Sequence, residues 1–132
     1  MKMEEVSRVL EANNFDAHVV TSRAAATETI LRTIPKDATV GVGDSATIRQ
    51  IGILEALEER GTEILNPFSK ELTTDPSKRD VRHELSRVVF TTDVLITGTN
   101  AVTLDGKLVN VDAVGNRVAA MIFGPKQGII VV

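Results

Sequence analysis

The chain reads as an α/β protein with a mainly parallel sheet and a small Asp-Gly β-hairpin. Three observations predict this. Short apolar runs near Val40, Leu95 and Ile130 alternate with helical patterns of about 10–15 residues, the rhythm of βαβ units joined by right-handed crossovers. Val94-Leu95-Ile96 is continuously apolar, as in a strand buried on both faces. Asp105-Gly106 lies between Val102-Thr103-Leu104 and Lys107-Leu108-Val109. Asp-Gly favours a two-residue type I′ turn, in which both central residues take positive φ.

Each element has its own signal. Residues 1–14 place Met3, Val6 and Leu10 on one helical face, and Asn13-Asn14 can end that helix in the left-handed conformation. Phe15 to Thr21, with Ala17, Val19 and Val20, reads as a short strand. Ser22 is an N-cap for a helix from Arg23 to Ile34, which Pro35 stops. Thr39 to Gly43 is a strand running into glycine, and Asp44-Ser45 opens a helix with Ile48, Ile51, Leu54 and Leu57 at helical spacing. Gly61 fits the residue just past a helix end. Thr62 to Leu65 reads as a strand, and Asn66 to Thr74 as a loop. Asp75-Pro76 is a helix start that would turn Val81, Leu85 and Val88 inward. The stretch from Asn110 to Arg117 is a polar turn before a helix through Val118, Ala119 and Ile122. Gly128 to Val132 closes as an apolar strand, a pattern that predicts further chain or a partner over this edge.

Composition narrows the function classes. The 132 residues suit a single domain with a real core, spanning 1–132. A net charge of −3 gives no general attraction to nucleic acid or anionic lipid, and the absence of Trp and Tyr argues against a base-stacking surface. With no Cys the chain has no disulfide, thiol nucleophile or cysteine-held cluster of its own. Glu4, Glu5 and Arg8 rule out a signal peptide at residues 1–10, and no apolar run approaches the ~20 residues of a membrane span. The expectation is a cytoplasmic protein without nucleic-acid or membrane partners. His18 and His83 are the two histidines, so no multi-histidine metal site is expected. Arg79, Arg82, His83 and Arg87 read as a solvated helix face.

Two turns could hold an anion. In the first, Gly41 and Gly43 lead into Asp44, Ser45 and Thr47. A glycine turn from strand into helix exposes backbone N–H groups at the positive end of the helix dipole, and two hydroxyls add donors. A bare Gly-x-Gly also serves simply as a tight turn, and Asp44 would repel an anion. The second turn runs from Asp112 to Arg117. Gly115-Asn116 supplies helix-start N–H groups, Arg117 is a fork-shaped donor, and Asp112 is the best-placed acid or base. An Asp–Arg pair bracing a loop is the plain alternative. Gly98, Thr99 and Asn100 end the intervening strand. Polar groups at strand ends are where open α/β sheets bind ligands, so the two turns are expected to share one pocket.

Beyond these physical signals, Gly98 to Thr103, Asp105 to Asp112, and Gly115 to Ala120 with Gly124-Pro125-Lys126 closely resemble the LUD-domain family, the lactate-utilisation proteins of the LutC and YkgG type. Val40 to Thr47 with Ile51-Gly52 fits that family's earlier glycine turn, though Asp44 stands where the family commonly has a second glycine. The resemblance implies a three-layer α/β/α domain like the ribose-5-phosphate isomerase, glucosamine-6-phosphate deaminase and CoA-transferase superfamily. It implies C-terminal helices and, in some members, a cysteine-rich tail that this chain lacks, so truncation or a reduced variant is expected. It also implies a component of bacterial L-lactate oxidation to pyruvate. Iron–sulfur companion subunits would do the redox work, while this chain binds a small carboxylate or phosphate, and a homo-oligomer is compatible with that role. Two other functions stay open. One is a sugar-phosphate isomerase with Asp112 as base and N–H groups after Gly41 and Gly115 as phosphate and oxyanion donors. The other is a ligand-sensing module without turnover.

Overall fold

The computed structural model describes residues 3–132. In chain order the elements are α1 (Met3–Ala12), α2 (Arg23–Thr33), β1 (Val40–Val42), α3 (Ala46–Ile51), α4 (Ile53–Glu59) and β2 (Ile64–Leu65). There follow α5 (Lys70–Thr74), α6 (Arg79–Val88), β3 (Val94–Gly98), β4 (Ala101–Val102), β5 (Leu108–Val109), α7 (Asn116–Ile122) and β6 (Gln127–Val131). Single 3₁₀ turns at Pro76–Lys78 and Val89–Thr91 bracket α6.

The main sheet has the order β2-β1-β3-β6, with every pairing parallel. Alternate residues of β1 and β3 serve opposite faces, as strand geometry requires. Val40, Val42, Val94 and Ile96 pack with Ile30 and Ile34 of the α2 end, Ile48 of α3, and Ile53 and Leu57 of α4. On the other face Leu95 packs with Val89 and with Ala120 of α7. These two clusters make the three layers of an α/β/α domain. The path from β1 to β2 crosses one face, and the path from β2 back to β3 crosses the other. The chain therefore reverses direction between β1 and β3, and ligands of open α/β sheets bind beyond the strand ends near such a reversal.

Local chemistry explains the element ends. The Ser22 hydroxyl accepts from Ala25 N at 3.1 Å, capping α2. Asn14, at φ 66°, terminates α1. Asp75 caps the Pro76–Lys78 turn, its carboxylate accepting from Ser77 N and Oγ, which holds its pKa below the usual 3.8. The starts of β1 and β3 are tied together by Asp93, whose Oδ2 accepts from Thr39 N and Oγ1, both at 2.9 Å. These bonds, with Lys126 nearby, lower the Asp93 pKa.

The structure corrects several sequence expectations. Phe15 to Thr21 forms no strand, because no sheet edge runs beside it to complete its hydrogen bonds. The helix expected from Asp44 to Leu57 is broken at Gly52, whose φ of +71° ends α3 and starts α4 at a new angle. The Asn66–Thr74 loop contains the one-turn α5. Val81 and Val88 point outward, 59% and 46% exposed. The inward side of α6 instead carries Arg82, Leu85 and Ser86 and continues to Val89, because Arg82 packs over the Phe68 ring at 5.5 Å and sets the rotation of the helix.

The hairpin forms with Ala101 paired to Val109 and Val102 to Leu108. Its turn differs from type I′. Gly106 alone takes positive φ (76°), and Gly106 N donates to Thr103 O, so the loop is of the longer kind in which a left-handed residue follows a tight turn. The hairpin tip docks on α1 through Asn13 Nδ2, which donates to the Asp105 and Gly106 carbonyls at 3.1 Å. Among the described residues, no helix is long and apolar enough to cross a membrane.

Candidate functional site

The two turns meet at Gly43. The Gly43 N–H donates to Ile96 O at 2.9 Å, continuing the β1–β3 ladder to the strand end. A side chain on Gly43 would lie 2.5 Å from Thr97 Oγ1 and 3.0 Å from Arg117 Cγ. A Cβ on Gly98 would lie 2.4 Å from Ser45 Oγ. Ser45 thus sits on Gly98 on one face of the sheet, and Arg117 sits beside Gly43 and Thr97 on the other. The gap between the ends of β1 and β3 is filled by protein.

Two separate hollows flank this contact, and Val42 and Gly43 line both. The smaller, about 10 Å³, is bordered by Asn116, Arg117, Ser86 and Ala120 and has room for about one water. The larger, about 190 Å³, opens over the carboxyl ends of β1 and β2. Its polar walls come from Asp44 and Ser45 on one side and from Asn66, Ser69 and Lys70 on the other, with Ile48 and Phe68 as apolar surface. Gly43 of the first turn thus borders the smaller hollow together with Asn116 and Arg117 of the second, as expected, while Asp44 and Ser45 face the larger one.

In the larger cleft, Ser45 caps α3, its Oγ accepting from Ile48 N at 3.4 Å. Asp44 Oδ1 is bound by Arg49 Nη1, and both side chains are more than half exposed. Asn66 Oδ1 accepts from Phe68 N at 2.9 Å, which fixes the loop and leaves the amide Nδ2 for other partners. Lys70 forms no ion pair among the described residues. Phe68 is held from behind by the Arg82 guanidinium.

The other expected site residues have structural partners. Gly41 lies inside β1, facing Thr92 and Val89 rather than solvent. Thr47 lies on α3 and borders neither hollow. Thr99 Oγ1 donates to Val109 O at 2.9 Å. Asn100 Oδ1 accepts from Val111 N at 2.9 Å and from Arg117 Nη2 at 2.7 Å. Arg117 also donates to Gly98 O and Val111 O, so its guanidinium ties the end of β3 to the strand leaving the hairpin. Gly115, at φ 81°, is the N-cap of α7, and the Asp112 carboxylate accepts from Val118 N at 3.0 Å, filling the role a capping side chain would have. Asp112 borders neither hollow and makes no ion pair with Arg117 among the described residues. No group of three or more His, Asp or Glu side chains is arranged to hold a metal ion among the described residues.

Sequence reasoning did not single out Arg49, Asn66, Phe68, Ser69 and Lys70. The rule that ligands bind beyond strand carboxyl ends applies to the segment after β2 as much as to the turn after β1, and it was the available signal.

The chain is thus a doubly wound parallel α/β domain with a small polar cleft beyond its strand ends. The family model for the LUD domain matches residues 3–132, nearly the whole chain, and the chain belongs to that family. No curated protein and no solved structure matches it.

Proposed function

We propose that this chain is a component of bacterial L-lactate utilisation that binds a small carboxylate in the cleft between the ends of β1 and β2. Membership of the LUD-domain family supports the pathway. The observation that supports the binding reading is the cleft itself, about 190 Å³, which Ser45 and Lys70 both line. A closed cavity of about 150 Å³ accommodates benzene, so the cleft has room for a compact acid. The chain carries no Cys. In this reading electrons pass through iron–sulfur companion subunits in the cytoplasm, and this chain holds or presents the acid.

Isothermal titration with L-lactate, pyruvate and inorganic phosphate tests the reading. At least one acid is expected to bind, and Lys70→Met is expected to weaken it about tenfold, near the net value of one charge-assisted hydrogen bond. Lys70 is exposed, so the variant is expected to fold normally. Absence of binding at millimolar concentration, or an affinity that Lys70→Met leaves unchanged, would overturn the assignment of the cleft.

A further inference from the structure

The ionisable groups bordering the larger cleft are Asp44 and Glu55 against Arg49 and Lys70. Their formal charges cancel, and Arg49 is already bound by Asp44. A surplus of positive charge favours an anion, and these four groups supply none. We propose that Arg82 supplies it as a positioning residue. Its guanidinium holds the Phe68 ring in the cleft wall and makes the field at the cleft positive. The inference rests on the small-acid reading of the cleft and adds a residue outside the cleft on which anion affinity depends.

The geometry is specific. Arg82 Cζ lies over the Phe68 ring, 5.5 Å from its centroid, within the range of a cation–π contact. Phe68 borders the cleft and Arg82 borders neither hollow, so the influence of Arg82 on a ligand passes through the ring. Arg82 is half-buried and forms no ion pair among the described residues, so no carboxylate neutralises it by direct contact. Both ends of the contact are anchored. Phe68 N donates to Asn66 Oδ1 at 2.9 Å, and Pro67 beside it is fully buried. An ion pair between Lys78 and Glu71 ties α5 to the turn ahead of α6. Val89, just past α6, packs with Leu95 of the sheet. Arg82 thus reaches from an anchored helix to an anchored loop.

Two physical effects follow from that contact. The face of an aromatic ring is negative and by itself repels a carboxylate. A guanidinium on the ring offsets that repulsion. The ring also keeps water out of the space it fills, so the Arg82 charge is screened less than a fully solvated one would be. The sole aromatic residue lining the cleft is therefore the one that carries a cation. A ring in that wall is an obstacle to an anion when bare and an aid when backed by Arg82.

The test is titration calorimetry with L-lactate, pyruvate and inorganic phosphate at low and at high salt, on the wild-type chain and on Arg82→Lys, Arg82→Met and Arg82→Gln. Met keeps a long apolar stem without the charge, and Gln is a second neutral variant should Met disturb the fold. For whichever anion binds the wild type, both neutral variants are expected to weaken it by about threefold to tenfold at low salt. Arg82→Lys retains the cation and is expected to stay within about twofold of wild type. The salt dependence of the affinity is expected to be shallower in the neutral variants, a change that a purely structural contact would not produce. If an anion binds the wild type but both neutral variants leave its affinity and salt dependence unchanged, or Arg82→Lys loses as much as they do, the inference fails while the small-acid reading stands. If no anion binds the wild type, both fail together.

Discussion

Gly43 has no space for a side chain. Its absent Cβ would press on Thr97 from 2.5 Å, with Arg117 Cγ on the same side. Thr97 is fully buried in β3, so the clash cannot be relieved by a rotation into solvent. Gly43→Ala is therefore expected to destabilise the fold by about 1–3 kcal/mol, the usual range for overpacking a tight contact. Urea denaturation followed by circular dichroism checks this, and a stability equal to wild type would show that the strand ends are loosely packed. The glycine pattern itself was visible in the sequence, and so was the idea that a backbone comes close to something there. What comes close was not visible, because a sequence does not show that residue 117 lies beside residue 43. Arg117 and Asp112 looked like chemistry for the same reason. Fork-shaped donors and carboxylates at a turn suit a ligand and suit backbone amides and carbonyls equally well, and here Gly98 O, Val111 O and Val118 N take them up.

Helix ends were the most legible elements. Ser22 and Ser45 cap the helices they were expected to cap, since a short polar side chain ahead of an apolar period has few other uses, whereas Asp75 caps a 3₁₀ turn that only leads into α6. The C-terminal end of α2 depends on a residue far along the chain. Arg60 Nη1 donates to Leu31 O at 2.8 Å and Ile34 O at 3.0 Å, while its Nε donates to Thr62 Oγ1. One guanidinium thus closes α2, the end of α4 and the approach to β2, where local chain chemistry offers the last carbonyls of α2 few other partners. Arg60→Ala is expected to lower stability by about 1–3 kcal/mol, and Arg60→Lys to recover only part of it because an ammonium cannot hold this fork. Thermal unfolding of the two variants measures it, and equal melting temperatures for wild type and Arg60→Ala would contradict the role. The face of α6 was misread for a similar reason. Val81, Leu85 and Val88 have good helical spacing, but Arg82 against Phe68 and Val89 against Leu95 decide the rotation, and those contacts are tertiary.

At the scale of the molecule, the order β2-β1-β3-β6 explains where open space can occur. Alternating elements made the parallel sheet legible, and the continuous apolar run in β3 marked its buried position. Strand order was beyond the sequence, and with it the site. The two polar turns do converge, as their positions at strand ends suggested, but they converge into contact, and the room lies on the β2 side of β1. Asn66 to Lys70 form its far wall from a segment that looked like an unremarkable loop. In the proposed reading the ligand binds at Gly43–Arg49 and Asn66–Lys70, while Gly98–Asn100 and Asp112–Arg117 tie the strand ends together. Amide chemical-shift mapping during a titration with L-lactate separates these two regions directly. The expected result is saturable shifts concentrated in residues 43–49 and 66–70, with residues 98–100 and 112–117 nearly unmoved. Shifts centred on Asp112 to Arg117, or none anywhere, would contradict it.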